Sequence, residues 1–161
     1  HNHAGKDIFY EESMRIPMII SWPEKIQPRK DEHLMIAFAD LYPSLLSMMG
    51  FRKEIPETVQ TFDLSREILG ESRREVVQPY YFVQFDNHAT GYRGLRTATH
   101  TFVVHAQNGI IDETVLFDRT KDPYQINNIA EHSPKLVRQF REQLKKWLHH
   151  THDSFANYLT P

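Results

Sequence analysis

The first half of the chain contains two apolar segments of different period. Residues 17–22 form a short apolar run that Pro23 closes, and this pattern predicts a short buried strand. After a polar loop, apolar residues recur at helical spacing between Asp40 and Gly50. We therefore predict a helix with Asp40 as its N-cap and Gly50 at the C′ position, where a left-handed backbone favours glycine.

The second half has the pattern of a small antiparallel sheet with a helix packed on it. Asn108-Gly109 is a hairpin signal. Ser133 and Pro134 predict the N-cap and the first residue of a helix. Segments rich in aromatic and β-branched residues predict strands at residues 78–85, 91–97, 99–105 and 113–118. The apolar face of the helix recurs every three or four residues, at Leu136, Val137, Phe140, Leu144, Trp147 and Leu148.

A polar connection, residues 51–75, separates the two halves and is broken by Pro56 and Gly70. The strand, loop and helix before it are typical of the last part of an α/β sandwich. We therefore predict two parts. Residues 1–76 are the C-terminal part of an α/β domain, and residues 77–161 are an antiparallel-sheet subdomain with a packed C-terminal helix.

Composition narrows the class of protein. The 161 residues are 40% apolar and 25% charged, as in globular proteins. The net charge of −2 gives no electrostatic basis for binding nucleic acid, and the longest apolar run is far too short to span a membrane. The absence of cysteine excludes disulfides and thiolate chemistry within these residues. The absence of cysteine does not assign the protein to a cellular compartment.

Candidate chemistry is concentrated in the first fifteen residues. Lys6 carries a compact positive charge suited to binding a sulfate or phosphate oxygen, and His1 could protonate the oxygen of a leaving group. The two side chains could converge on one anion if the loop between His1 and Lys6 is bent. Arg15 could instead form a buried ion pair with Glu11 or Glu12. On spacing alone, a surface loop with exposed salt bridges explains all of these residues as well. A zinc site is a further alternative, although the His-x-His pair would supply only two of four ligands.

Four segments, in order, resemble motifs of the sulfatase family. They are GKDIFYEESMRIPMIISWPEKI, AFADLYPSLLSMMG, YRGLRTATHTFVV and VLFDRTKDPYQINNIA. Together they extend from Gly5 to Ala130. The chain departs from the family pattern at Glu24, where glycine is usual, and at His100 and Thr101, where a basic residue and tyrosine are usual. The resemblance is to the C-terminal third of such an enzyme.

The resemblance implies an alkaline-phosphatase-like α/β fold and a sulfuric ester hydrolase. It implies a catalytic formylglycine and a calcium ion whose ligands are expected upstream, so no metal ligand is assigned in this chain. We therefore expect the chain alone to be catalytically incomplete and its partner to be the N-terminal part of the same protein. The substrate implied is a sulfated small molecule, chiefly a sulfated sugar or glycan, because the family acts most widely on these.

The family positions can be carried over residue by residue. Lys6 corresponds to the lysine that contacts the sulfate, and His1 to a histidine near the sulfate or the leaving group. His3 is predicted to face the substrate. Glu11 and Arg15 correspond to positions that we interpret as a buried pair, bracing the Lys6 loop.

Two polar features of the second half are further candidates. Asn87 and His88, beside Asp86 at a predicted strand end, could bind sugar hydroxyls, although a solvated turn explains them equally well. Arg93 and Arg96 lie three residues apart and should face opposite sides of a strand. We expect at least one of them to form a structural ion pair, with Asp118 or Asp122 as the candidate partner.

Two alternatives to sulfatase activity stay open. A phosphodiesterase or phosphonate monoester hydrolase of the same superfamily could use the same lysine for a phosphoryl group. A non-catalytic structural module is the other alternative, with the N-terminal part of the protein as its partner.

Overall fold

The computed structural model describes residues 8–72 and 80–159, with the backbone alone for residues 80 and 83–87. The chain forms two compact units. The helical unit lies within Met18–Tyr80, and the sheet unit combines residues up to Pro17 with Tyr81–Pro161. The predicted boundary at residue 76 lies outside the described residues, so the division of the chain at that point stays a prediction.

The helical unit is built around α2 (Leu41–Met48) and α3 (Ser65–Leu69), with 3₁₀ turns at Phe38–Asp40 and Arg52–Glu54. Gly50 has φ +88°, which confirms its predicted place after α2. The core consists of Met48, Leu64 and Ile68, with Ile20, Trp22, Ile26, Leu34, Ile36, Phe62 and Leu69 packed around them.

Asp40 precedes α2 as predicted, but its side chain does not cap that helix. The buried carboxylate instead accepts hydrogen bonds from the backbone N–H groups of Ala37, at 2.8 Å, and Phe62, at 3.0 Å. The predicted N-cap bond is therefore wrong. Because a 3₁₀ turn runs directly into α2, Asp40 already has helical backbone angles, and its carboxylate caps the preceding turn and secures the loop before α3.

The buried strand predicted over residues 17–22 is wrong for this chain. The segment is not paired as a strand, and Ile19 is 93% exposed while Ile20 and Trp22 pack into the helical unit. A strand requires a neighbour to hydrogen-bond its backbone, and among the described residues none lies beside this segment.

The sheet unit contains four strands within the described residues: β1 (Tyr80–Asn87), β2 (Thr90–Arg96), β3 (His100–Gln107) and β4 (Ile110–Asp118). They are arranged in the order β1-β2-β3-β4, and β3 pairs antiparallel with both β2 and β4. Asn108 and Gly109 both have positive φ and form the two-residue turn between β3 and β4, which confirms the predicted hairpin.

The C-terminal helix α4 (Pro134–His150) starts at the predicted proline and covers one face of the sheet. Phe140, Leu144 and Leu148 are buried against the sheet, as the spacing predicts. Its sheet-side partners include Leu95, Phe102, Val104 and Leu116, and Phe155 and Leu159 of the C-terminal segment complete the core. The fold class is therefore confirmed as α/β, with an antiparallel sheet and a packed C-terminal helix.

The two arginines of β2 do lie on opposite faces of the sheet, as predicted. Arg93 is buried and forms an ion pair of 2.7 Å with Asp153 beyond α4, with its guanidinium over the ring of Phe155. Arg96 forms an ion pair with Glu11 on the other face. Both pairs are structural, but the partners are not the predicted Asp118 or Asp122.

No helix in the described ranges combines the length and the apolar character that a membrane span requires.

We expect the 161-residue chain on its own to self-associate. Large apolar side chains are at least 45% exposed at Ile16, Met18, Ile19, Phe38, Tyr42, Leu45, Met49 and Phe51, and exposed apolar surface of this extent promotes association. Sedimentation velocity over a range of concentrations measures the effect. The double variant Met18→Lys, Ile19→Lys should associate less, whereas a monomer at all concentrations with one cooperative melting transition would contradict the expectation.

Candidate functional site

The predicted site residues His1, His3 and Lys6 lie outside the described residues. The structure does describe the segment that follows Lys6, from Ile8 onwards. Phe9 in this segment is 4% exposed, and its ring lies 5.3 Å from that of Tyr92 and 6.5 Å from that of Phe117. The segment is therefore packed on the face of the sheet opposite α4.

Glu11, the first residue of the one-turn helix α1 (Glu11–Met14), fixes this segment through charge. Its carboxylate accepts two hydrogen bonds from Arg96, at 2.6 Å from Nε and 2.9 Å from Nη2. The Nε of Arg119 lies 3.7 Å from the same carboxylate. The Glu11 backbone N–H donates to the side-chain oxygen of Gln125 at 2.7 Å. Both ends of the residue are thus held by β2 and by the loop that follows β4.

The electrostatics of this cluster favour an ionised carboxylate. Burial opposes the charge on Glu11, but the hydrogen bonds and charge of Arg96, with the charges of Arg119 and Arg15, outweigh it and lower the Glu11 pKa. Burial, then the charge of Arg96, lowers the pKa of Arg119 to about 10, so Arg119 stays protonated at neutral pH. Two guanidinium groups therefore share one carboxylate.

Arg119 is held in place by the loop between β2 and β3. Its Nη2 donates to the backbone carbonyls of Thr97 and, at 3.4 Å, His100. Its Nε is buried and has no hydrogen-bond acceptor among the residues that the structure describes. The cluster of Glu11, Arg96 and Arg119 is therefore rigid and carries excess positive charge.

The predicted pairing of Arg15 with Glu11 is wrong. Arg15 is exposed, follows α1 with extended backbone, and affects Glu11 only through its charge. The guanidinium group of Arg96, at the end of β2, instead donates hydrogen bonds to both carboxylate oxygens of Glu11. Sequence spacing favours local partners, and this partner lies 85 residues away.

Asn87 and His88 lie at the turn between β1 and β2, where His88 is exposed. Six residues of β2 separate this turn from Arg96, which corresponds to about 20 Å of strand. The structure therefore does not bring them together with Glu11.

Sequence reasoning missed Arg119 and Gln125 as members of the cluster. Both belong to the motif VLFDRTKDPYQINNIA, which resembles a sulfatase motif, so a signal was present. The resemblance marked the segment but did not assign either side chain a partner.

Within residues 8–72 and 80–159, no group of three or more histidine, cysteine, aspartate or glutamate side chains could hold a metal ion.

Comparison with known proteins defines the class as the C-terminal part of a sulfatase. The family described as N-sulphoglucosamine sulphohydrolase, C-terminal, matches residues 1–153, and the chain belongs to this family. Members of the sulfatase family in general use a metal ion and a formylglycine.

Two relatives from Bacteroides thetaiotaomicron are informative. The chain is 28% identical to an endo-4-O-sulfatase, over 84% of the chain and 29% of the relative. It is 27% identical to an N-acetylglucosamine-6-O-sulfatase, over 91% of the chain and 27% of the relative. The chain thus spans less than a third of the curated relatives that it matches.

Solved structures agree with this assignment. The crystal structure of yidJ from Bacteroides fragilis, a protein assigned to the sulfatases, superposes with a TM-score of 0.92 at 67% identity, over all of this chain and 35% of that one. A Bacteroides thetaiotaomicron sulfatase from a glycosaminoglycan metabolism locus superposes with a TM-score of 0.71 at 26% identity, over 84% of this chain and 31% of that one.

We predict that Glu11→Gln detaches α1 from the sheet. Removing the charge leaves two largely buried guanidinium groups without their carboxylate, at a cost of about 3 kcal/mol. Hydrogen exchange of the α1 backbone amides should then be more than about 100-fold faster than in the wild type. Glu12→Gln, at the exposed neighbouring residue, is the matched control and should change exchange little.

The same experiment tests the sign of the pH dependence. Because folding lowers the Glu11 pKa from its ordinary 4.5, the stabilisation is complete at pH values well above 4.5 and is lost as the pH falls through the lowered value. Protection of α1 should therefore decrease on acidification in the wild type and less so in Glu11→Gln. An equal pH dependence in both proteins would show that Glu11 is not responsible.

Proposed function

We propose that this protein is a sulfatase that hydrolyses sulfate esters of sulfated sugars or glycans, and that Lys6 binds the sulfate. The observation that carries the proposal is the anchoring of Phe9 and Glu11, which begins three residues after Lys6 and holds this part of the chain on the sheet. Membership of the sulfatase C-terminal family and the sulfatase relatives support it.

The proposed role of Lys6 is electrostatic. Cleavage of a sulfate ester increases negative charge on the sulfuryl oxygens and on the leaving oxygen, and a positioned ammonium group lowers the energy of that charge. Such a group is effective only if it is held in place before the reaction. The cluster of Glu11, Arg96 and Arg119 would provide this rigidity.

The other sequence candidates take secondary roles in the proposal. His1 would contact the sulfate or the leaving group, and His3 would face the substrate. Glu11 would brace the Lys6 segment, with Arg15 adding positive charge at longer range. Asn87 and His88 remain candidate sugar contacts at a separate point of the sheet.

We assign the formylglycine nucleophile and the calcium ion to the part of the protein outside this chain. When bound, calcium would supply positive charge close to the sulfate. The described residues offer no group of side chains that could hold it. The chain would therefore act together with the N-terminal part of the same protein.

The decisive variant is Lys6→Ala in the full-length enzyme. We expect kcat/KM for a sulfated N-acetylhexosamine to fall by about 100- to 1,000-fold, the usual effect of removing one transition-state contact. Lys6→Arg, which keeps the charge, should recover part of the rate. Lys30→Ala, at an exposed lysine paired with Glu32, is the control and should leave the rate unchanged.

Two outcomes would contradict the proposal. Hydrolysis of bis(p-nitrophenyl) phosphate without hydrolysis of any sulfate ester would assign the protein to the phosphodiesterases. Peptide mass mapping of the whole protein should also find formylglycine in a Cys/Ser-x-Pro/Ala-x-Arg sequence. If that position is unmodified, the sulfatase mechanism is wrong.

A further inference from the structure

The helix α4 carries a concentration of positive charge that the cluster around Glu11 does not use. Within Pro134–His150 there are five basic residues and one acid, Glu142, which gives the helix a net charge of +4 with histidine neutral. Because the whole chain has a net charge of −2, the rest of the chain has a net charge of −6. Positive charge is therefore collected on one element of an otherwise acidic chain.

Helical geometry places four of these cations on the side of α4 that faces away from the sheet. With about 3.6 residues per turn, they fall within a stripe about 100° wide, opposite the buried Leu144. At a rise of about 1.5 Å per residue, the stripe is about 16 Å long. Three of the four residues are exposed, and Lys145 is half-buried. This basic stripe consists of Lys135, Arg138, Lys145 and Lys146.

The charges of the basic stripe are available to a ligand. Within residues 8–72 and 80–159, none of its four side chains forms an ion pair. Other exposed lysines of the chain do have acidic partners, because Lys30 pairs with Glu32 and Lys121 with Asp118. The basic stripe therefore differs from a surface on which charges of both signs neutralise each other.

The stability of α4 does not explain the basic stripe. The dipole of a helix favours acidic residues in the first turn, yet the first turn of α4 has no acid and contains Lys135. Cations three or four residues apart on a helix repel each other, as Lys135 and Arg138 do. Exposed helices usually mix charges of both signs for this reason. A polyanionic ligand would replace these repulsions by attraction.

The surroundings of the basic stripe favour a polysaccharide over a membrane. The apolar residues Phe140, Leu144 and Leu148 of α4 are buried in the core, so this helix has no apolar face left to insert into a bilayer. A sulfated polysaccharide repeats its negative charges along the chain, and lysine and arginine bind such oxygens through charge-assisted hydrogen bonds. A row of cations about 16 Å long could therefore contact several sulfate groups of one chain.

The basic stripe and the segment of Phe9 and Glu11 lie on opposite sides of the sheet. α4 covers one face, while Phe9 and Glu11 are held on the other. A ligand on the basic stripe therefore does not contact that segment. A polysaccharide held there would keep its other sulfated units at high local concentration around the protein, whereas a small sulfate ester has no further units to offer.

We propose that the basic stripe of α4 binds sulfated polysaccharide chains and so holds the enzyme on long substrates. The identity of the ligand rests on the proposed function. The basic stripe should therefore matter for long sulfated chains and not for small sulfate esters. Binding should weaken as salt increases, because each cation that contacts a polyanion releases a counterion.

The first measurement is the affinity of the full-length protein for heparin, a sulfated polysaccharide, at several salt concentrations. The triple variant Lys135→Gln, Arg138→Gln, Lys146→Gln removes three exposed charges and keeps good helix formers at these positions. Its Kd for heparin should be about 10- to 100-fold higher than that of the wild type at low salt. The slope of log Kd against log salt concentration should fall by about one for each charge removed.

Two further variants control for net charge. Lys30→Gln, Lys53→Gln, Arg66→Gln removes three exposed positive charges from the helical unit and should leave the Kd for heparin unchanged. Glu142→Gln removes the one acid of α4 and should act in the opposite direction. It should lower the Kd by about two- to fivefold, the effect of one charge.

The second measurement is sulfate release by the full-length enzyme. For a sulfated polysaccharide that the wild type hydrolyses, the basic-stripe triple variant should raise KM by about tenfold and leave kcat unchanged, because it removes binding and not chemistry. The value of kcat/KM for p-nitrophenyl sulfate should stay the same in both proteins. This second result also shows that the variant is folded.

The outcomes separate this proposal from the proposed function. Equal heparin affinity in the wild type and the basic-stripe variant, or an equal loss in the helical-unit control, would overturn the binding surface. A DNA duplex or phosphatidylserine vesicles bound through the basic stripe as tightly as heparin would overturn the choice of ligand. An unchanged KM for the polysaccharide would show that the basic stripe does not hold the substrate. If no sulfate is released from any substrate while heparin still binds through the basic stripe, the proposed function fails and the binding surface stands.

Discussion

The arrangement of the sheet unit depends on one carboxylate shared by two guanidinium groups. Glu11 pairs with Arg96 of β2 and lies near Arg119 after β4, and its backbone is bonded to Gln125. These elements are distant in sequence, so the ion pair is the point where the start of the described chain joins its sheet. Burial raises the cost of leaving either charge unpaired, which makes the contact specific as well as stabilising.

The sheet can support this cluster because its two faces are specialised. The face towards α4 packs into the apolar core, which also contains the ion pair between Arg93 and Asp153. The opposite face holds Phe9 and the charged cluster. Alternation of side chains along a strand makes this division possible, because residues three apart, such as Arg93 and Arg96, belong to different faces.

On that second face, charge is divided between two neighbouring regions. Arg96 and Arg119 outnumber the carboxylate between them, while Glu12 and Glu113 line a shallow cleft beside Tyr10. In the proposed enzyme, the cluster would hold the Lys6 segment in place.

The sequence by itself determined what depends on neighbours along the chain. The spacing of Phe140, Leu144 and Leu148 predicted α4, and Asn108-Gly109 predicted the hairpin, because these signals act within a few residues. The motifs also indicated the family. Only the tertiary structure decided that Glu11 pairs with Arg96 rather than Arg15, that Asp40 caps the turn before its helix, and that residues 17–22 are not paired as a strand. Each of these depends on a partner brought close, or not provided, by folding, and local spacing contains no information about such partners.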